Sequence, residues 1–471
     1  MISTSAIIGF IIAYFAFFIF LSYRLTGGYD QTKPGFLVAN RNAGFWESSL
    51  AAGASWVLGM SLFASAGFGY NMGWAGLFWF LIPQTLSMFV FAWLSNSCNQ
   101  RIPEGYTISG FIRDTYGRKV STIYQFGLSL ISLGFIVLTF TALNKLLTIL
   151  EVDYIPLITG LVALGTVIYA LKGGLKTNLI TGSLQMVFML AFCALLLAVA
   201  FATGGYDHLV AGINGKLNYT NLFDPKLMTT YAVAVALTSL AGVVGNQSYY
   251  QKSFSQQKTG TNARSFMLGG IFFAIVPLCL GTIGMMAYGA GIELKDATTA
   301  HLAWMQTNIG IAAIIAFAFV VLNCASNALD SQCNAFGAML AHDFNKDEKQ
   351  SVWKSRLGIV AIAIVGWALS TLNLDLAFIF LTYGAIRISL FIINHGCENH
   401  MVDQRRYICL GNCVGSYNAV SKSIGHENGS GIVGLFYAAY RSCIDQSSTK
   451  KIENSILDLL KIQSSRLTLL A

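Results

Sequence analysis

Long apolar runs separated by short polar and basic stretches dominate the chain. They lie at 6–21, 46–71, 74–96, 121–144, 154–171, 178–203, 229–250, 265–289, 308–340, 357–373 and 376–394. A helix needs roughly 17–25 mostly apolar residues to cross a bilayer core. The pattern therefore predicts an all-α polytopic membrane protein with about eleven transmembrane helices. The first run is too long for a signal-peptide core, and no basic segment precedes it, so it is expected to stay as a membrane helix.

Charge in the connecting loops predicts orientation. With the N-terminus outside, the inner loops carry Arg24, Lys33, Arg41, Arg101, Arg113, Arg118, Lys119, Lys172, Lys176, Lys252, Lys258, Arg264, Lys346, Lys349, Lys354 and Arg356. The outer loops then carry Lys145, Lys216, Lys226 and Lys295. That asymmetry is the positive-inside pattern. Setting the first helix and inner loop aside (1–45), five spans in 46–204 precede an outer loop at 205–228. Five more spans follow in 229–394. An odd number of helices per unit inverts the second unit relative to the first, the plan of an inverted-repeat secondary transporter. The expected location is the cell membrane.

Composition narrows the picture. Of 471 residues, 55% are hydrophobic and 11% charged, against about a quarter charged in soluble domains. The net charge of +8 is accounted for by basic loops, so nucleic acid is not expected as a partner. The expected partners are the lipid bilayer and a small solute. Nine cysteines are scattered without a CxxC pair, so no redox or zinc framework is indicated. No catalytic constellation or cofactor motif is evident, and the protein is not expected to be an enzyme. A transporter-like sensor would want a soluble signalling domain after the last span, and a channel would want a filter or charge ring.

In inverted-repeat transporters the first helix of each repeat is commonly interrupted near mid-membrane. Around Trp56, the small residues Gly53, Ala54, Ser55 and Gly59 cluster; they read either as such a break or as a close helix-packing face. Thr238, Ser239, Gly242 and Gly245 precede Asn246 and Gln247 in the corresponding span, again a break or a packing seam. Asn323, Asn327, Asp330, Ser331 and Asn334 recur at helical spacing and share one polar face, which must border a cavity or a polar partner. Asp330 is the candidate coupling residue. Arg387 lies toward the inner end of its span and is expected to snorkel to the surface. Glu47 and Lys145 are expected at the interfaces. Pro83, before Gln84, marks an expected kink.

Four segments resemble the sodium:solute symporter family. LKGGLKTNLITGSLQMVFM (171–189) is similar to its G-G-x-x-A-V-x-x-T-D-x-x-Q signature, and NQSYYQKSFSQQKTGTNAR (246–264) to its D/N-Q-x-x-x-Q-R segment. SNALDSQCNAFGAMLAHDFNK (326–346) is similar to S-T-x-D-S-x-L-N-A-x-S-T-L-x-x-x-D-x-Y, and RIPEGYTISGFIRDTYG (101–117) to the first large inner loop. The resemblance spans about 5–393 and implies a five-plus-five inverted-repeat fold with an extra leading helix. It also implies a sodium site formed by the carbonyls of Ala54, Val57 and Cys324 with residues Asn327 and Ala328. The family pattern has Ser or Thr at the last two positions and Asp where Gly182 stands, so sodium, proton and uncoupled transport all remain open. The implied solute pocket lies beside Trp56 and Gly59, with Phe80, Gln84, Ser239 and Gly242 near it. No basic residue sits deep in 121–144, and a small neutral or zwitterionic solute is expected.

From about 394 the chain loses this character. It has no apolar run long enough to span, and it does not resemble the family's last helices. A frameshift near Ile393 is one reading. His395, Cys397, His400, Cys409 and Cys413 match no standard zinc spacing.

Overall fold

A computed structural model describes residues 4–29, 31–215, 221–228, 232–256, 259–343, 352–372 and 386–387. The eleventh expected span, apart from Ile386 and Arg387, and the tail from 394 lie outside the described residues. The elements, in chain order, are almost all helical. They begin with α1 (Thr4–Leu25), α2 (Lys33–Val38), α3 (Phe45–Trp56), α4 (Gly59–Arg101), α5 (Ile108–Tyr116) and α6 (Arg118–Ile149). Next come α7 (Ile155–Gly173), α8 (Leu175–Ala202), α9 (Gly205–Gly215), α10 (Pro225–Leu227) and α11 (Val233–Val244). The series ends with α12 (Gln247–Phe254), α13 (Thr259–Gly289), α14 (Ala300–Asn308), α15 (Ile311–His342) and α16 (Trp353–Ser370).

Among the described residues, eight helices are long and apolar enough to cross a membrane. The chain is an integral membrane protein. α1 shows why composition, more than amphipathicity, drives these helices. Phe10, Ile12, Phe17 and Phe20 are exposed, while Ile11, Tyr14, Phe15, Phe18 and Ser22 form a buried seam against α7 and α8. The apolar face left outside suits lipid.

α4 has 43 residues, about 65 Å if straight, twice a bilayer core. It therefore turns, at Gly73 (φ 56, ψ −140), a conformation that only glycine adopts without strain. Two crossings result, as the apolar pattern predicts with its gap between 71 and 74. At Pro83 the backbone keeps helical φ/ψ, and Gly73 is the sole non-helical position inside α4. The Gln84 side-chain amide donates to the Phe80 carbonyl at 2.9 Å, adding a bond beside the proline.

α13 packs most extensively on α4 and then on α3. The approach is close because a Cβ on Gly53 would stand 2.8 Å from the Gly269 carbonyl oxygen. Small residues thus bring α3 and α13 into backbone contact, the usual device where lipid supplies no hydrophobic drive for association. α15 is wrapped by α16, α6, α8 and α7. The outer connection expected as loop at 205–228 contains α9, which packs on α13.

Candidate substrate and ion site

Two helix interruptions create the site. α3 ends at Trp56, and Val57 (φ −72, ψ 101) is extended before α4 restarts at Gly59. The Val57 N–H closes the last turn onto the Gly53 and Ala54 carbonyls, at 3.3 and 3.2 Å. The second interruption separates α11 from α12 at Gly245 and Asn246. Asn246 is extended (φ −132, ψ 115), and its side-chain oxygen accepts from the Ser248 N–H, capping the new helix. This break falls six residues beyond Ser239, which lies inside α11. Ser87 anchors the end of α11: its hydroxyl donates to the Leu240 carbonyl (2.9 Å) and accepts from the Val243 N–H (3.1 Å).

Beside the first break lies a narrow cavity of about 10 Å³, lined in part by Trp56, Phe80, Gln84, Ser239 and Arg387. That is room for about one water, so the helices are closed tightly around this point. The Trp56 ring meets Tyr249 edge-on at 5.8 Å and lies 6.2 Å from Phe135. Its Nε1, and the Ser239 hydroxyl, are buried without a hydrogen-bond partner among the described residues. Gly242 does not line the cavity; a Cβ there would run into Cη2 of Trp56, so glycine is what lets the indole lie flat against α11. Gly59 is turned elsewhere: its missing Cβ leaves room for Ala142 of α6.

Arg387 overturns its expected position. It is 1% exposed, with its guanidinium over the Phe135 ring at 4.4 Å and the Trp56 ring at 5.3 Å. Stacking on two aromatic faces stabilises a cation away from water. Its position along the span points to the surface; the aromatic faces that hold it come from α3 and α6, far away in sequence.

The polar face of α15 adjoins the same break and is fully occupied by side chains. Tyr14 of α1 bonds Asn323 (3.1 Å) and Ser326 (2.8 Å). Gln185 of α8 donates to Tyr14 and Ser326, both at 2.9 Å, and accepts from Asn327 at 2.8 Å. Ser55 of α3 donates to Asn327 Oδ1 at 3.0 Å and meets Ser331 at 2.8 Å. Asp330 accepts from Asn178 of α8 (3.0 Å) and from Asn334 (2.7 Å).

Lys252 is the second departure from the sequence reading. It is 1% exposed rather than in an inner loop. Its ammonium donates to Ser331 at 3.2 Å and stands 5.9 Å from the Tyr249 ring. Asp330 lies within its electrostatic reach. The half-helix α12 turns inward after Asn246 and packs on α15, which carries Lys252 into the core. Glu47, expected at an interface, pairs with Lys176 at 2.7 Å, and Lys145 pairs with Asp296 at 2.6 Å.

The residues of the expected sodium site come together, and their oxygens are engaged. The Val57 carbonyl accepts from the Cys324 thiol at 3.0 Å, and the Ala54 carbonyl accepts from Val57. Asn327 turns its amide oxygen to Ser55. Ala328 is buried and brings no side-chain oxygen. Among the described residues no cluster of three His, Cys, Asp or Glu could hold a transition metal.

Paired broken helices around a buried cavity define a secondary-transporter fold of the inverted-repeat kind. A solved Na+-coupled sialic acid symporter, in a substrate-bound outward-open state, shares this fold. The TM-score is 0.72 at 13% identity, over 93% of this chain and 96% of that one. The urea-proton symporter DUR3 of Oryza sativa subsp. japonica is 20% identical over 323 residues, 60% of this chain and 43% of its own. "Probable urea active transporter 2" of Schizosaccharomyces pombe is 20% identical over 387 residues, 73% of this chain and 56% of its own. The chain spans about half the length of these relatives. No protein-family model matches it.

Proposed function

We propose that the chain is a cation-coupled symporter that imports a small organic solute by alternating access. In this reading it sits in the plasma membrane with its N-terminus outside. Residues 46–204 and 229–394 are two oppositely oriented repeats, with 1–45 leading and 205–228 joining them. The observation that carries the proposal is the pair of interruptions at one place: Leu58 of the first lines the buried cavity, and Gly245 of the second packs against Arg387, which lines it too. Unwound backbone at membrane depth is tolerated only where it is buried in protein or lines such a space. The likeness to cation-coupled symporters supports the same reading.

Sodium is the preferred coupling ion. It would bind between the first break and α15, to the carbonyls of Ala54, Val57 and Cys324 and the amide oxygen of Asn327, with Ala328 packed beside them. Sodium favours oxygen ligands, as other hard cations do, and the C-terminal end of α3 adds negative partial charge there. Binding requires the Cys324 thiol to leave the Val57 carbonyl and Asn327 to turn from Ser55. A proton is the second reading, and Lys252 favours it. This lysine already places an ionisable amine on the polar face beside Asp330, and a buried Lys–Asp pair changes net charge by one on taking up a proton.

The test is solute uptake into proteoliposomes with sodium and proton gradients imposed separately. Accumulation against a gradient under one ion and not the other identifies the coupling ion. Uptake indifferent to both gradients overturns coupled symport.

A further inference from the structure

A short helix closes the end of the bundle where α6 finishes and α15 begins. α14 has nine residues, too few to span, and packs on α13, α15 and α4. A 3₁₀ turn at Ala297–Thr299 leads into it, capped by Asp296, whose side chain accepts from the Thr298 N–H. This turn lies tightly on α4: a Cβ on Gly67 would stand 3.3 Å from Thr298 Cα. Lys145, near the end of α6, ties it down by donating to Asp296 at 2.6 Å and to the Thr298 hydroxyl. Further along α14, the Trp304 indole N–H donates to His208 Nδ1 of α9 at 3.2 Å. Beneath these ties His301 points inward. It is fully buried, edge-on to Phe317 of α15 at 4.7 Å and to Phe63 of α4 at 5.4 Å. Phe63 lies one turn beyond Gly59, where α4 restarts after the first break. Phe317 lies two turns, about 10 Å, before Cys324, whose thiol meets the Val57 carbonyl of that break. Both nitrogens of His301 are buried without a hydrogen-bond partner among the described residues. A leucine would fill this niche and leave no polar atom unpaired. An imidazole makes the fit depend on charge.

We propose that α14 and its 3₁₀ turn form a lid over the first break that stays shut only while His301 is uncharged, so that acid on that side releases it. A proton would place a charge between two hydrocarbon rings, with no acceptor for it among the described residues. Burial, and after it the Lys145 ammonium, bring the His301 pKa down to about 3, from about 6.5 in water. Lys145 is the charge that acts on it, and Asp296 is paired with that lysine. His208 of α9 stands beyond Trp304. On the other elements packed against α14, the titratable groups toward this end are Tyr70 of α4 and Tyr288 of α13, which meet edge-on at 5.6 Å. α15 carries none between Ile311 and Asn323. The open lid therefore binds the proton more tightly than the shut one. Closure is at full strength above about pH 6.5, and the ratio of shut to open falls about tenfold for each pH unit below it, down to about pH 3. The inference rests on the symporter reading for the lid's purpose and for which side is outside, and the response to acid is measured apart from transport.

The experiment is backbone hydrogen exchange, read by mass spectrometry, on the purified full chain in detergent near pH 7.5, 5.5 and 4.5. Wild type and His301→Leu are compared at each pH, which cancels the chemical dependence of exchange on pH. Relative to the variant, exchange in 300–308 is expected to rise about tenfold near pH 5.5 and about a hundredfold near pH 4.5 over its value near pH 7.5. Amides of α8 and α15 should keep one ratio throughout. Should His301→Leu fail to fold, those amides in the wild-type sample are the reference. Lys145→Gln cuts the tie to Asp296 and should speed exchange in 300–308 at every pH while α8 and α15 hold. No acid response in 300–308, an equal response in His301→Leu, loosening of α8 and α15 along with the lid, or an unchanged lid in Lys145→Gln overturns the proposal. Failure of gradient-driven uptake, with the acid response intact, counts against the symporter reading alone.

Discussion

Asp330→Asn isolates the charge in the polar face of α15. The side chain keeps its shape and loses its ionisable oxygen. In the native protein one carboxylate oxygen accepts from Asn334 at 2.7 Å, and the other from Asn178 at 3.0 Å and Thr181 at 3.5 Å. An amide has a single oxygen, so its NH₂ must face a donor on one side. One buried hydrogen bond is then lost, about 1–3 kcal/mol. Lys252, 1% exposed, also loses the carboxylate in its reach. The Lys252 ammonium bonds Ser331 and makes no direct ion pair with Asp330, so the lysine loses only a longer-range attraction. The two effects overlap, and a total of about 1–3 kcal/mol is expected. Lys252→Met combined with Asp330→Asn should restore a large part of that loss, since no lone charge remains. Thermal unfolding of all four proteins in detergent gives the double-mutant cycle. Uptake under each gradient in the same set reads coupling. A loss below about 1 kcal/mol for Asp330→Asn, or losses that simply add in the double variant, would refute the paired-charge argument.

Gly242→Ala places a methyl against the Trp56 ring; it should cost about 1–3 kcal/mol of stability by overpacking, weaken solute affinity measured by calorimetry, and leave helicity unchanged. Asp343, just beyond α15, accepts from Thr107 and Ser109 at the start of α5, and burial raises its carboxyl to about 6 against the opposing pull of those hydroxyls, Arg113 and Lys33. The folded state therefore holds the proton more tightly, so this group's contribution is full below about pH 4 and is lost as pH rises to about 6; Asp343→Asn should flatten that part of a stability-against-pH curve. Gly182→Asp should destabilise strongly because a Cβ there would stand 2.7 Å from Asn327 Nδ2, and adding Asn327→Ser should recover most of the loss in thermal unfolding.

The sequence exposes what depends on short stretches of chain. Apolar run lengths mark the spans, and the gap at Gly73 marks the turn inside α4. The cluster Gly53, Ala54, Ser55 and Gly59 marks the first break to within two residues. The second break was harder to place, because two kinds of small residue look alike in one dimension. Gly242 makes room for Trp56, whereas Gly245 ends α11; the distinguishing signal is Asn246, a good N-cap at the head of a new helix. Lys252 and Arg387 could not be placed by position along a span. Each lies near the end of an apolar run, where a basic side chain ordinarily reaches water. Their burial is decided by partners distant in sequence: Ser331 on α15 for Lys252, and Phe135 with Trp56 for Arg387.

The departures from the family pattern also make sense together and not one at a time. An aspartate is expected where Gly182 stands, and a hydroxyl residue where Asn327 stands. In the folded chain these positions face each other across α8 and α15: the space opened at Gly182 is the space the Asn327 amide fills. From there Asn327 bonds Gln185 and Ser55. Volume has moved from one helix to its neighbour, and a negative charge has gone with it. Asp330 is then the acid left to balance Lys252 among the described residues of this cluster. A site altered in this way keeps its packing but not its charge count. In the proposed symporter, Asp330 and Lys252 supply the charge that this cluster brings to coupling, beside the carbonyl and amide oxygens that would hold sodium.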